Sequence, residues 1–324
     1  MTGPSLGEIQ QVREAIAPNI VGTPMIEWRG DALAARAPQG AQVFVKLELF
    51  QKTGTFKLRG ALANLASRAP AELAHGVTAI SAGNHAIAVA YAAQALKVPA
   101  KVVMLATANP YRVERCRSMG AEVLMAETGA EGFALAEKIA ADEGKIFVHP
   151  FDHPGTIAGT ATIGLEMLEA APDLDAIIIP IGGGGLIAGI AAAVKLVKPG
   201  CQVFGVEPTG SDVMYQSFQA GSPQAMARPT SIADSLCAPF AGTLTYAICR
   251  ETLEDLVLVT EDEIRAAMRT IYADLRFVVE PACAVATAAL LHPLKARLEG
   301  KKVGVIFCGS NISAEGAAQI MGVA

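Results

Sequence analysis

Nine short apolar, β-rich runs punctuate this chain, and segments of helical length fall between most of them. The runs are VFVKLEL (43–49), VTAIS (77–81), KVVMLA (101–106), EVLMA (122–126), IFVHP (146–150), AIIIPI (176–181), QVFGVEP (202–208), LVLVT (256–260) and KVGVIFCG (302–309). Between them stand stretches such as HAIAVAYAAQAL, GFALAEKIAADEG, LIAGIAAAVKLV and EDEIRAAMRTIYADL, with helical length and mostly helical periodicity. Strands that are apolar on both faces and alternate with helices imply α/β architecture, with parallel twisted sheets flanked by helices. Such folds bind ligands at the C-terminal ends of their strands, in loops that lead into helices. Three loops fit that description: SAGNH after VTAI, GGGG after AIIIPI and CGSN after KVGVIF. The softest boundary lies near residues 150–155, where HPFDHPG collects turn formers.

With 324 residues, 52% of them hydrophobic, the chain is long enough for one large or two medium domains with buried cores. A net charge of −5 leaves no basic footprint for nucleic acid, and no run of like charge points to a membrane surface. The N-terminus MTGPSLGEIQQVREAIAP lacks the apolar core of a signal peptide, and no apolar run approaches a membrane span. Six cysteines, at 116, 201, 237, 249, 283 and 308, show neither CxxC spacing nor the density of a disulfide scaffold. They are expected to be reduced, in a cytoplasmic protein.

Lys57 stands in LELFQKTGTFKLRGALANL, between a Thr-Gly-Thr turn and a helix-like run; taken alone it reads as a solvated lysine. Gly182, Gly183, Gly184 and Gly185 follow a strand and open a helix, so backbone N–H groups and the helix dipole can hold a phosphate. No Gly-Lys-Ser/Thr follows, which excludes a Walker loop. Gly183, Gly185 and Ala188 also fit G-x-G-x-x-A, with Glu207 near the place of a ribose-binding acid. An NAD(P)-dependent oxidoreductase therefore stays open, as does a glycine turn that merely lets helix and strand approach. Ser81, Gly83, Asn84 and His85, and likewise Cys308, are individually weak signals, since turns and buried strands use the same residues.

Taken in order, TGTFKLRGA, SAGNH, PIGGGGLIAGIA, GVEP, VEPACA and FCGSN resemble the fold-type-II pyridoxal-phosphate enzymes. The nearest group is the serine/threonine dehydratases, with the serine racemases as relatives, and the likeness runs from about Gly22 to Asn311. It implies a tryptophan synthase beta-like fold with the cofactor pyridoxal phosphate between a large domain (1–70 and 150–324) and a small one (71–149). It makes Lys57 the Schiff-base residue and the base at substrate Cα, Phe56 a neighbour of the cofactor ring, and Asn84 a partner of the ring oxygen. Gly182 to Gly185 become the phosphate cradle, and Glu280 a carboxylate near the ring edge or else a cap of the next helix. Ser81, Ala82, Gly83, Asn84 and His85 form the loop that takes the substrate carboxylate. A homodimer is implied, with no nucleic-acid or membrane partner.

The departures refine this expectation. Cys308 stands where many relatives carry a serine against the pyridine nitrogen, a neutral partner that favours elimination. Ala82 replaces the serine that serves racemases as second acid. A divalent cation (Mg or Ca) in relatives uses the glutamate of VEP and an acid six residues on; here Glu207 is followed at that place by Val213. Thr160, Ala161, Ser235 and Cys283 also differ from frequent residues and are expected around the pocket. Ala324 ends the chain without the regulatory domain of biosynthetic threonine dehydratases, so an enzyme of amino-acid catabolism, or one unregulated or simply regulated, is expected. The expected reaction is dehydration of a 3-hydroxy amino acid of the L-threonine/L-serine type to a 2-oxo acid and ammonia. Serine racemisation, or dehydration of another hydroxy amino acid such as 3-hydroxyaspartate, is the alternative within the family.

Overall fold

Every one of the nine apolar runs forms a strand in the computed structural model, which describes residues 2–66, 68–81 and 83–323. They are β2 (Gln42–Lys46), β3 (Val77–Ile80), β4 (Ala100–Leu105), β5 (Glu122–Ala126), β6 (Ile146–Phe147), β7 (Ala176–Pro180), β8 (Gln202–Pro208), β9 (Asp255–Val259) and β10 (Lys302–Ile306). A further strand, β1 (Met25–Glu27), pairs antiparallel with β2 at the sheet edge. Three half-buried residues are too few to show a period, so the sequence gives no sign of β1. Six strands form one sheet in the order β1-β2-β10-β7-β8-β9, and four form another in the order β5-β4-β3-β6. All pairs except β1–β2 are parallel.

The smaller sheet is drawn wholly from residues 71–149 and the larger from residues outside that span. Helix Lys57–Ala66 precedes the smaller sheet in sequence, yet Leu58, Leu62 and Leu65 join Val77, Ile87 and Val102 in that sheet's core. The same helix meets helix Pro154–Ala170 so closely that a Cβ at Gly60 would stand 2.9 Å from Thr156. It therefore lies where the two cores meet, with Lys57 at its first turn.

Helices at the protein surface start on reciprocal caps. Thr128 with Glu131 and Thr260 with Glu263 each satisfy two otherwise orphaned N–H groups. Helix Gly185–Val197 is apolar nearly all round and buried over its first ten residues, as a helix sandwiched against the sheet and its neighbours must be. Beneath helix Lys57–Ala66, the fully buried Arg59 binds Glu48 at 2.9 Å and Glu166 at 2.7 Å. Lys46 reaches the same Glu166. Two cations thus face two carboxylates, which is the condition under which burial of such charges is tolerable.

Candidate active site

The ends of β7, β10 and β3 open toward one cleft, which brings Gly182–Gly185, Cys308 and Gly309 together with Ser81, Gly83, Asn84 and His85. The turn before Lys57 is tied to the end of β10 by the Thr55–Gly309 bridge and by Phe56 N–H donating to the Cys308 carbonyl at 3.1 Å. These backbone links, not side-chain packing, set where Lys57 emerges. Its Nζ donates to the Pro150 carbonyl at 2.9 Å and lies 5.3 Å from the Phe56 ring centroid. No carboxylate pairs with it among the described residues, and burial lowers its pKa to about 8. A lysine so held keeps a substantial neutral amine fraction at physiological pH, far more than an ordinary lysine.

Gly182, Gly183 and Gly184 donate their N–H groups to no acceptor among the described residues, although the loop is enclosed by Phe151, Leu236 and Thr245. Gly184 has φ +94°, and a Cβ there would meet Met214 and Thr245 at 2.8 Å. A Cβ at Gly183 would collide with the Phe151 ring. The loop is therefore a glycine cradle with free donors at a helix N-terminus, fitted to a phosphate. The slot it closes is lined by Phe56, Lys57, Asn84, Glu280 and Cys308. An amine at one end, a phosphate cradle at the other and an apolar ring between them fit pyridoxal phosphate.

Glu280 is the hub of the slot's far wall. Its carboxylate accepts from Asn84 Nδ2 at 2.8 Å, from Asn311 N–H at 2.7 Å and from the Ser235 hydroxyl at 3.2 Å. Asn311 Nδ2 in turn donates to Asn84 Oδ1 at 2.8 Å. Although Glu280 occupies the N-cap position of helix Pro281–Leu291, its side chain makes no capping bond, so the cap reading does not hold. Burial raises its pKa, opposed by the Arg112 charge and these donors. Cys308 is buried and lines the slot; its hydrogen bond with Cys283 and its burial hold the thiol well above the usual range. It is a neutral thiol at any physiological pH.

Ser81 accepts from Gly83 N–H at 3.1 Å and both line the cleft. Ala82 lies outside the described residues. His85 turns inward: its Nε2 is 2.8 Å from the Val148 carbonyl, and burial lowers its pKa to about 3. The ring is a neutral Nε2–H tautomer donating to backbone.

Glu207 is buried and both oxygens accept backbone N–H groups, from Met214 at 3.0 Å and Tyr215 at 2.7 Å. It holds the start of helix Val213–Ala220, and burial pushes its pKa up to about 8. Val213 beside it is buried and apolar. No cluster of three or more His, Cys, Asp or Glu suited to a metal occurs among the described residues. The same burial takes Glu207 away from any dinucleotide ribose. Of the four departures expected around the pocket, only Ser235 lines it. Cys283 stands behind Cys308, Thr160 bonds the Gly185 carbonyl at 2.7 Å from outside the slot, and Ala161 packs on Ile9.

Several residues of the site gave no usable sequence signal. Phe151, Arg112 and Asp234 line the cleft from loops and helices whose composition is ordinary. Asn311 falls inside FCGSN, so its place could have been read there, but its partner Asn84 is 227 residues away.

A family model described as pyridoxal-phosphate dependent enzyme matches residues 16–309. This chain belongs to that family. Its cofactor is pyridoxal phosphate, the group the slot fits. Among its relatives in the family, a phenylserine dehydratase of Ralstonia pickettii is 49% identical over 99% of this chain and 98% of that protein. The L-threo-3-hydroxyaspartate ammonia-lyase of Saccharomyces cerevisiae is 37% identical over 96% of this chain and 94% of its own length. The structure of maize serine racemase superposes with a TM-score of 0.92 at 33% identity, covering 98% of this chain and 97% of that one. Membership in the pyridoxal-phosphate family removes the dinucleotide reading of the glycine loop.

Proposed function

We propose that the protein is a dehydratase that eliminates water from a 3-hydroxy amino acid and releases a 2-oxo acid and ammonia. The observation that carries this is the Lys57 amine, held by the Pro150 carbonyl with no carboxylate partner among the described residues and its pKa lowered to about 8, facing a cleft closed at its other end by the glycine cradle. Relatives named for phenylserine dehydration and for 3-hydroxyaspartate ammonia release support the reaction class. They differ in the group on Cβ.

When bound, pyridoxal phosphate supplies an electrophilic carbon for an amine and a sink for electrons from Cα. Lys57 takes the proton from substrate Cα, for which it must be neutral. The Gly182–Gly184 N–H groups would hold the phosphate, and Phe56 and Asn84, the latter steadied by Glu280 and Asn311, would hold the ring. Cys308, a neutral thiol, lines the same slot. The substrate carboxylate lies at the start of helix Asn84–Leu96, where the free N–H groups of the first turn point outward, and the Ser81 hydroxyl donates to it. The Cβ hydroxyl leaves as water, taking up one proton for the one Lys57 removes from Cα, and the released enamine tautomerises to an imine that water hydrolyses to the 2-oxo acid and ammonia. The six free thiols, five of them buried, suit a cytoplasmic setting, and a homodimer is the assembly we propose.

Purified protein loaded with pyridoxal phosphate should absorb visible light and release 2-oxo acid and ammonia from a panel of 3-hydroxy amino acids. Lys57→Ala should lose the visible band and the product together. A protein that cannot be loaded, or that on chiral analysis only interconverts enantiomers, overturns the proposal.

A further inference from the structure

The cleft beside Lys57 is not walled for a small substrate. Between the Ser81–Asn84 loop and the protein exterior it encloses about 220 Å³, and it opens into a wider cleft of about 1200 Å³ that shares Leu105, Phe133 and Pro239. Dry apolar cavities of ~150 Å³ already take a benzene ring. With pyridoxal phosphate and the amino-acid backbone in the inner space, the outer cleft still gives a group on Cβ far more room than serine's hydroxymethyl needs.

The outer cleft is lined by Phe133 and Phe240, the inner one by Phe133 and Phe151, and His149 stands behind them. His149 and Phe151 stand edge to face with centroids 4.8 Å apart, Phe151 and Phe240 are 5.2 Å apart, and Phe240 and Phe133 are 5.9 Å apart. The series runs from Phe151, pressed on Gly183, outward to Phe133 and Phe240, which are only half-buried. Phe133 belongs to helix Gly129–Glu143 over the smaller sheet, and Phe240 to the segment before helix Thr243–Thr252 on the larger. The one cation lining this cleft besides Lys57 among the described residues is Arg112. Its guanidinium is already bound to Asp234 at 3.2 Å and to the Asn311 carbonyl at 3.1 Å. A second substrate carboxylate would find Arg112 neutralised and Asp234 repelling it.

We infer that the substrate carries an aryl group on Cβ, seated in the outer cleft against the paired rings of Phe133 and Phe240. The ring would stack edge or face against two half-buried rings contributed by the two sheets and would displace water from an apolar surface. This rests on the dehydratase reading above. It makes Phe133 and Phe240 the residues that determine specificity, and they act on the substrate's side group rather than on the reacting bonds.

The test is a comparison of kcat/KM for 3-phenylserine, threonine, serine and 3-hydroxyaspartate with the cofactor-loaded enzyme, in the natural protein and in Phe133→Ala and Phe240→Ala. Phenylserine should be preferred, and each substitution should lower the phenylserine-to-threonine ratio about tenfold or more, through KM. Phe133→Leu, which keeps most of the apolar volume, should retain more of the ratio than Phe133→Ala. Calorimetric binding of L-phenylalanine, which has no hydroxyl to lose, should weaken in parallel. Threonine or 3-hydroxyaspartate turned over as well as phenylserine, with ratios unmoved by both alanine variants, overturns the inference and leaves dehydration standing. No 2-oxo acid from any of the four overturns the dehydratase reading itself.

Discussion

A lysine whose pKa is about 8 is neutral about one time in ten at pH 7, against fewer than one in a thousand for an ordinary lysine. The cause is burial without a carboxylate partner, so the effect belongs to Lys57's surroundings and not to its residue type. Only the neutral amine attacks a carbonyl. Because the lowered pKa lies within the accessible range, cofactor uptake by stripped protein should accelerate as pH rises from about 6.5 and level off above about 8 to 9. Stopped-flow absorbance in the visible region measures it, and a rate still climbing in proportion to hydroxide through pH 10 would show an unperturbed lysine. The sequence marked this residue by its motif. What it could not mark is the company kept by Asn84, because Glu280 is 196 residues distant and no local pattern encodes that meeting.

The elements that shape the site are short loops at strand ends, and their tolerance is set by backbone approach. The glycine loop and Phe151 touch so closely that any Cβ at Gly183 must displace the ring. Gly183→Ala should therefore leave the fold intact but lower cofactor affinity about tenfold or more, the scale of overpacking a closed site; visible-absorbance titration reads it. The strands and the long helices were legible from apolar runs and caps, since each is dictated by residues adjacent in sequence. β1 was not, being three residues at an edge. Nor was the role of Glu207, which serves the N-terminus of helix Val213–Ala220. Its motif pointed to a cation or a ribose, and only its burial shows that both oxygens are committed.

At the scale of the molecule, the site is lined by residues from loops of both sheets, which are built from different stretches of chain. Arg112, from the smaller sheet's helix Pro110–Ser118, reaches Asp234 and the Asn311 carbonyl on the other side. Asp234 is largely exposed, so the pair contributes at most about 1 kcal/mol to stability. Its geometric contribution is larger, since it spans the mouth of the cleft. Arg112→Ala should raise KM several-fold while changing unfolding free energy by less than about 1 kcal/mol. Steady-state kinetics and chemical denaturation on the same preparation separate the two.

The sequence by itself determined the α/β class, nine of the ten described strands, the glycine cradle and the lysine, because each is written in residues close together along the chain. Only the tertiary structure decided that Glu280 anchors Asn84 instead of capping its helix, that Glu207 is spent on a helix end, and that Phe133 and Phe240 meet across the cleft. Those outcomes depend on burial and on contacts between segments far apart in sequence. A side chain's partners are chosen by what the fold excludes from water, and no local pattern records that.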